Sequence, residues 1–421
     1  MISRVLTADL PRHVGAVVTI AGWVHRRRRL KSVTFLVIRD RSGLAQVVLS
    51  AAEPLPPEET VVAVRATVTA NAQAPGGVEL TEAVVEPLTD PAEPPPFDLY
   101  RPGVPASLPT ILDNAPVALR HPKLRTRFEI SAAAVAGFRT ALDELAFTEI
   151  HTPKIVASAT ESGANVFGID YFGKRAYLAQ SPQFFKQAMV GVFERVYEVG
   201  PVFRAEPHDT ARHLAQYTSL DAELGFITGH EDVMAVLRHV LAGMVESVGA
   251  HDVEVPHVPA EIPAISFDEA QELLARNTGE DPRGEPDLAP AHERWLSDWA
   301  SREHGSEFLF VTGYPMAKRP FYTHPDPETP DRSRSFDLLF RGLELVTGGQ
   351  RLHRHGDYLA ALAARGENPA PYRDYLAVFA HGMPPHGGFA IGLERWTARL
   401  LDLPNVRSAT LFPRDLHRLT P

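Results

Sequence analysis

The sequence predicts an α+β protein, in which an antiparallel sheet flanked by helices follows a small all-β barrel. Three observations predict it. Residues 13–90 hold β-branched runs (VVTIAGWVH, TFLVIRD, AQVVL, VVAVRATVTA and GVELTEAVVEPL) punctuated by RSG and APGG turns, with no strong helix signal. Helical periodicity begins only later, in RFEISAAAVAGFRTALDELAFTEI. Residues 201–225, PVFRAEPHDTARHLAQYTSLDAELG, carry two segments of period two around a polar middle, the pattern of an antiparallel hairpin with a long loop.

A length of 421 residues suggests two or three domains and a sizeable core. The formal charge of −10 excludes a generally cationic DNA-coating protein but leaves room for a local basic patch. With no cysteine there is no disulfide framework, thiolate metal site or cysteine nucleophile. MISRVLTADL lacks a signal-peptide apolar core, and no apolar run approaches membrane-spanning length. The expectation is a cytoplasmic protein with no membrane partner.

About five strands in a Greek-key-sized segment match a barrel of the OB type, placed at residues 1–95. RRRRLKS is read as the connection of its first two strands, making Arg26 to Arg29 and Lys31 a basic cluster, with Phe35 and Gln46 on the strands that follow. A basic groove with an aromatic stacker and an amide is how such barrels hold single-stranded RNA, although the arginine run alone would be a solvated loop. Residues 96–125 are proline-rich without periodicity and read as a hinge. The second domain spans 126–421. It continues through a helical PQFFKQAMVGVFERVYEVG into the hairpin, while 228–305 reads as an irregular insertion.

On the hairpin, Arg204 and Glu206 share one face. Tyr217, Ser219, Asp221 and Glu223 share a face of the second strand, with Leu220, Ala222 and Leu224 opposite. The apolar side can rest on a core. The charged side could be a solvated face with cross-strand ion pairs, but an aromatic in the row and matching charges later in the chain favour a site. In SFDLLFRGLELVTGG, Asp337, Glu344 and Thr347 are hard oxygen donors of the kind that suit magnesium. Gly348 and Gly349 are read as admitting a ligand close to the backbone, with Arg351 beside them. GFAIGLERWTARLL places Gly392 before a helix start that carries Arg395, a natural anion site. No Walker or GxGxxG motif occurs, so a bound nucleotide would rely on arginines, with Arg204, Arg212 and Arg395 as the phosphate candidates.

FTEIHTPKI, VFRAE…RHL…YTSLDAE and GFAIGLER resemble, in order, motifs 1, 2 and 3 of the class II aminoacyl-tRNA synthetases. Together with QSPQFFKQ, GGQR and the terminal FPRD…RLTP, they are most similar to the archaeal-type aspartyl subgroup, which carries an N-terminal OB domain. The resemblance implies ATP and L-aspartate as substrates, tRNA as acceptor, Mg2+ as cofactor and a homodimer with Pro153 at its interface. It implies that Arg204 binds the α-phosphate, Glu206 the adenine amino group and Tyr217 the adenine face. Arg212 and His213 would lie near the outer phosphates, and Arg395 would clamp the γ-phosphate. Asp337, Glu344 and Thr347 would hold magnesium. Lys186 and Arg351 would grip the aspartate side chain, while Glu161, Gln183 and Asp221 would receive its ammonium group. Gln216, Ser162 and Pro207 depart from the usual motif residues.

In members of that subgroup that charge only tRNA(Asp), the position of His25 is typically Trp and that of Pro75 typically Lys. Their replacement here implies an enzyme that charges both tRNA(Asp) and tRNA(Asn), with Arg26, Phe35 and Gln46 reading the anticodon and a tRNA-dependent amidotransferase downstream. The other reading is that His25 and Pro75 are ordinary barrel-surface residues. The rivals are a discriminating aspartyl enzyme, an asparaginyl-tRNA synthetase and a synthetase-like RNA-binding protein without activity.

Overall fold

The computed structural model describes residues 4–51, 54–158 and 165–421. The chain divides into two compact units, Met1–Leu124 and Arg125–Pro421.

In the first unit, β1 (Val17–Arg29), β2 (Val33–Arg39), β3 (Leu44–Ser50), β4 (Val61–Ala70) and β5 (Val78–Pro87) close into a barrel of order β1-β2-β3-β5-β4. Alternate residues such as Leu36, Ile38, Val47, Val62, Val64 and Leu80 fill its interior, as period two requires. The arginine run is not a loop. It forms the end of β1, where Arg26 pairs with Val37 and Arg28 with Phe35. Pairing with the β-branched β2 carries the strand into charged sequence, because outward side chains there stay in water. A register shift between Val24 and Arg26 places His25 at a bulge. Residues 96–125 are also more ordered than the composition suggested. They hold α1 (Leu108–Asp113), α2 (Ala115–Ala118) and a small apolar cluster of Phe97, Leu99, Ala118 and Leu124.

The second unit is built from α3 (Pro122–Glu144), β6 (Thr148–Glu149), β7 (Ile155–Val156), β8 (Gly168–Tyr171), β9 (Lys174–Leu178), α4 (Gln183–Phe193), β10 (Arg195–Phe203) and β11 (Gln216–Gly225). These are followed by α5 (His230–Val248), β12 (Ala264–Ser266), α6 (Phe267–Asn277), α7 (Pro290–His304), β13 (Phe308–Thr312), β14 (Ser335–Phe340) and β15 (Leu343–Gln350). The chain ends with α8 (His355–Ala364), α9 (Arg373–Phe379), β16 (His386–Gly392) and α10 (Leu393–Leu400). Among the described residues, eight strands form one sheet in the order β12-β13-β14-β15-β16-β11-β10-β6. It is antiparallel through the middle and parallel only in its end pairs, β12 with β13 and β6 with β10.

The apolar side of β11, Leu220, Ala222 and Leu224, joins Phe138 and Leu142 of α3 and Leu237 and Leu241 of α5 in the main core. That core leaves the polar side of β11 facing the other way, as the alternation predicted. Two readings change. Residues 228–305 are not irregular: they supply α5, α6, α7 and β12, and α5 is part of the core because its apolar residues recur at helical spacing. The stretch 182–200 is helical only to Phe193. Glu194 takes a left-handed φ of 65°, and the strand starts at Arg195. The hairpin strand β10 therefore ends at Phe203, and Arg204 and Glu206 lie in the loop beyond it.

Helices α3 and α5 approach closely at glycines. A Cβ on Gly137 would fall within 2.8 Å of the Met244 backbone, and one on Gly243 within 2.9 Å of Ala141. Gly137→Ala should therefore cost about 1–3 kcal/mol, read as a lower urea midpoint with an unchanged slope. His386, at the start of β16, is buried with both ring nitrogens engaged, Nδ1 2.9 Å from the Pro384 carbonyl and Nε2 2.9 Å from the Gln187 amide nitrogen. Burial pushes its pKa down to about 4. Because the unfolded chain takes up this proton at its ordinary value near 6.5, the stability is complete above that pH and is lost as pH falls towards 4. His386→Gln should flatten the fall in unfolding free energy between those values by on the order of 2–3 kcal/mol, measured by urea titration across pH.

Candidate active site

β11 acts as a ruler. Its polar-side residues Tyr217, Ser219, Asp221 and Glu223 are two apart, so each step along the strand is about 6–7 Å. Tyr217 and Ser219 line a cleft, whereas Asp221 and Glu223 are buried further along the same face. The neighbouring strand continues the surface, with Gly392 opposite Ser219 and Gly388 opposite Glu223.

At the Tyr217 end, Arg204, Glu206, Arg212, His213, Tyr217, Glu344, Thr347, Gly392 and Arg395 all line that one cleft. The predicted nucleotide residues, drawn from three separated stretches, thus come together. Arg204 closes the base of loop 204–215 through its backbone N–H, 2.9 Å from the Ala215 carbonyl, and its guanidinium lies 5.6 Å from the Tyr217 ring centre. Glu206 and His213 face each other at 3.8 Å. Burial, with Arg395 next, lowers the His213 pKa. Arg395, in the first turn of α10, donates to the Glu344 carbonyl at 3.2 Å. Arg212 pairs with Glu293 of α7, whose carboxylate also accepts the Glu344 backbone N–H at 2.9 Å.

Asp337 on β14 stands opposite Thr347 on β15, and the Thr347 hydroxyl donates to Glu344 at 2.8 Å. Burial first, and then the nearby Glu344, raise the Asp337 pKa to about 6 against the pull of Arg319. Burial also works to raise Glu344, but Arg395, the Thr347 hydroxyl, Arg319 and Arg204 outweigh it and hold it low. Two carboxylates this close, with a hydroxyl between them and no nitrogen or sulfur donor in the set, are an oxygen-only arrangement that fits a hard divalent cation. Arg319, an ion-pair partner of Asp337 at 3.0 Å, supplies positive charge there. The adjacent glycines also have a packing reason. A Cβ at Gly348 would strike the Phe336 ring and one at Gly349 the backbone of Arg334 and Ser335, so their smallness serves strand packing.

At the Glu223 end, Lys186 of α4 reaches Asp221 at 3.0 Å, Glu223 at 3.2 Å and the Phe389 carbonyl at 3.2 Å. Arg351 donates to Glu223 at 3.0 Å and to the Gly388 carbonyl at 3.0 Å. The two cations converge as expected, yet two strand carboxylates already neutralise them. Burying them without counter-charges would cost several kcal/mol. Asp221 is accordingly a partner of Lys186 as well as a candidate ammonium acceptor. Gln183, also buried, donates to Gln187 at 2.9 Å. Glu161 and Ser162 lie outside the described residues. Gln216 is exposed at the start of β11.

Glu223, Glu293, Arg319 and Glu394 contact the candidate site residues but were given no role in the sequence reading. Glu394 lines the cleft and accepts the Thr218 backbone N–H at 3.0 Å on each oxygen, and burial lifts its pKa to about 7. The alternation on β11 carried a signal for Glu223. Glu293 sits in a stretch that was read as an insertion.

On the barrel, cross-strand rows collect the predicted RNA-facing residues. Arg26, Val37, Gln46 and Glu79 form one row, and Arg28, Phe35 and Val48 the next. Gln46 donates to Glu79 at 3.2 Å. Pro75 is exposed at a turn before β5. His25 is no surface residue. It is buried, with Nδ1 2.9 Å from Arg39 and its ring 4.7 Å edge-on to Tyr100, while Arg39 is held by Glu59 at 2.8 Å.

The family model for tRNA synthetases class II (D, K and N) matches residues 107–416, and that for an OB-fold nucleic acid binding domain matches 18–88. The chain is 49% identical to the aspartate–tRNA(Asp/Asn) ligase of Thermus thermophilus over 99% of its own length and 100% of the relative's. It is 46% identical to the enzyme of the same name from Deinococcus radiodurans, over 100% and 99%. Among solved structures, the asparaginyl-tRNA synthetase of Pyrococcus horikoshii complexed with asparaginyl-adenylate superposes with a TM-score of 0.91 at 30% identity, covering 100% of both chains. With motifs 2 and 3 meeting in one cleft and a match of this extent, the chain belongs to the class II tRNA synthetases of the D, K and N group.

Proposed function

We propose that this enzyme attaches L-aspartate to tRNA(Asp) and to tRNA(Asn) in two steps, through an aspartyl-adenylate. The observation that carries this reading is the convergence of Arg204, Arg212 and Arg395 with Glu344 at one end of β11, with Lys186 and Arg351 at the other. That spacing suits a nucleotide and a small acid lying end to end. In the first step the α-carboxylate of aspartate attacks the α-phosphorus of ATP in line, and pyrophosphate leaves. The attacking oxygen is already anionic, so no side-chain nucleophile is needed; positioning and charge compensation carry the step. Arg204 meets the α-phosphate, Tyr217 and Glu206 hold the adenine, and Arg212, His213 and Arg395 receive the outer phosphates, with Gly392 lining the cleft at the start of the helix that carries Arg395. Asp337, Glu344 and Thr347 would hold Mg2+, which when bound supplies charge neutralisation for the phosphates. In the second step the terminal ribose hydroxyl of the tRNA attacks the carbonyl of the mixed anhydride, and AMP leaves.

Lys186 and Arg351 are assigned to the side-chain carboxylate, and Asp221, Gln183 and Glu161 to the ammonium group. The barrel, assigned to residues 1–95 and joined by a hinge at 96–125, offers Arg26, Phe35 and Gln46 to the anticodon. The buried setting of His25 argues for a role in shaping that surface instead of touching RNA directly, with Pro75 at a turn on the barrel's exterior. A homodimer, a cytoplasmic location and a downstream amidotransferase that converts Asp-tRNA(Asn) complete the reading. No helix among the described residues is long and apolar enough to cross a membrane.

ATP–pyrophosphate exchange should depend on aspartate and be at least about a hundredfold weaker with asparagine, because a neutral amide cannot replace a carboxylate between two cations. Equal or greater exchange with asparagine would make this an asparaginyl enzyme, and no exchange with either would leave an RNA-binding protein. Arg351→Leu should raise the KM for aspartate by about a hundredfold and leave that for ATP within a few-fold, as expected for a lost charge-assisted bidentate contact. Side-by-side charging should give aspartyl-tRNA from both tRNA(Asp) and tRNA(Asn). If only tRNA(Asp) accepts, the relaxed-specificity reading falls while aspartate activation stands.

A further inference from the structure

The loop that carries Glu206, Arg212 and His213 into the cleft is gripped by the C-terminal end of the chain. Arg407, two residues into the short turn after Asn405, spans 197 residues of sequence to reach it. Its Nη1 donates to the Thr210 carbonyl at 3.2 Å and its Nη2 to Asp209 at 2.6 Å, while Nε is held by Asp415. Asp415 is itself fixed, accepting the backbone N–H groups of His417 and Arg418 at 2.8 Å each. Backbone bonds flank the grip on both sides: Val406 N–H to the Ala211 carbonyl at 2.9 Å, and Ala215 N–H to the Arg414 carbonyl at 2.7 Å.

Thr210 is where this grip meets the cleft. Its carbonyl is taken by Arg407, and its hydroxyl accepts the Arg212 backbone N–H at 3.1 Å and lies 2.6 Å from His213 Nδ1. Fixing Thr210 therefore fixes two of the residues that face the triphosphate. Arg407 itself does not line the cleft, although the preceding Val406 does.

We propose that Arg407 is a positioning residue for ATP: from outside the cleft it holds Asp209 and Thr210, and so presets Arg212 and His213 before the nucleotide arrives. This rests on the reading of the cleft as an ATP site. A loop ordered in advance loses less conformational entropy when the ligand binds, so the effect falls on nucleotide affinity. The planar fork of Arg407 serves three partners at once, which a lysine ammonium at the end of a flexible stem cannot do.

The test is ATP–pyrophosphate exchange with each substrate varied in turn. Wild-type exchange checks the reading of the cleft; only the difference between wild type and variant checks Arg407. Arg407→Ala should raise the KM for ATP by about tenfold, and Asp209→Ala by about threefold, with the KM for aspartate within twofold in both. A KM for ATP unchanged within twofold in Asp209→Ala, or the two KM values rising together, would overturn the proposal. Should Arg407→Ala fail to fold, Asp209→Ala decides, since Asp209 is half exposed and its loss leaves Arg407 paired with Asp415.

Discussion

Two cations and two carboxylates buried on one strand face are the interaction on which the rest of the second unit depends. Glu223 lies between Lys186 and Arg351, at 3.2 and 3.0 Å, and Asp221 takes the other side of Lys186. Burial alone would push the Glu223 carboxyl pKa up, but Arg351 and Lys186 reverse this and hold it low. Removing any one of the four would strand a buried charge, at a cost of about 3–5 kcal/mol. The quartet ties α4 to β11, and β11 to the segment that follows β15, so the strands that build the cleft have one relative placement. Behind Lys186, Gln187 continues the network to Tyr358, Tyr375 and His386. The pocket is therefore built on a continuous buried polar network.

How much of this was legible in the sequence depends on whether the signal was local. The alternation in YTSLDAELG gave both faces of β11 correctly, because a side-chain period of two is a property of the strand itself. The helix start after Gly392 was legible for the same reason. The barrel strands were also legible, but not the end of β1, where four arginines looked like a loop and pairing with β2 overrode their composition. Residues 228–305 were misjudged because most of their prolines lie in the segments between helices, while Val233, Leu237, Leu241 and Met244 form an apolar stripe on α5. Composition averages over that stripe and hides it.

Contacts between distant stretches were not legible. Glu293 and Arg212 are 81 residues apart, and Arg319 meets Asp337 from an irregular segment with no periodic signal. Neither residue stands out by type, since exposed glutamates and arginines are common. Burial makes them significant, and burial is a property of the folded chain. Likewise, the sequence named Lys186 and Arg351 as a pair of cations but could not show that Glu223 already sits between them.

The cleft and the quartet share one electrostatic design. In and beside the cleft, Arg212 is held by Glu293, Arg395 by the Glu344 carbonyl and Asp337 by Arg319, so the charged groups proposed to meet a polyanion are kept in place by internal partners. Such groups cannot be buried bare, because desolvation would exceed any later gain on binding. Nor can they be left to move in solvent, because reorganising them during the reaction would forfeit the advantage of fixed dipoles. Internal counter-ions meet both demands: they neutralise the folded state and aim the charges. Substrate binding on this scheme exchanges protein ion pairs for ligand ones instead of creating them anew. Under the proposed reading, selectivity then comes from how well a ligand's charges match positions already set, and Glu223 and Glu293 matter because they set those positions.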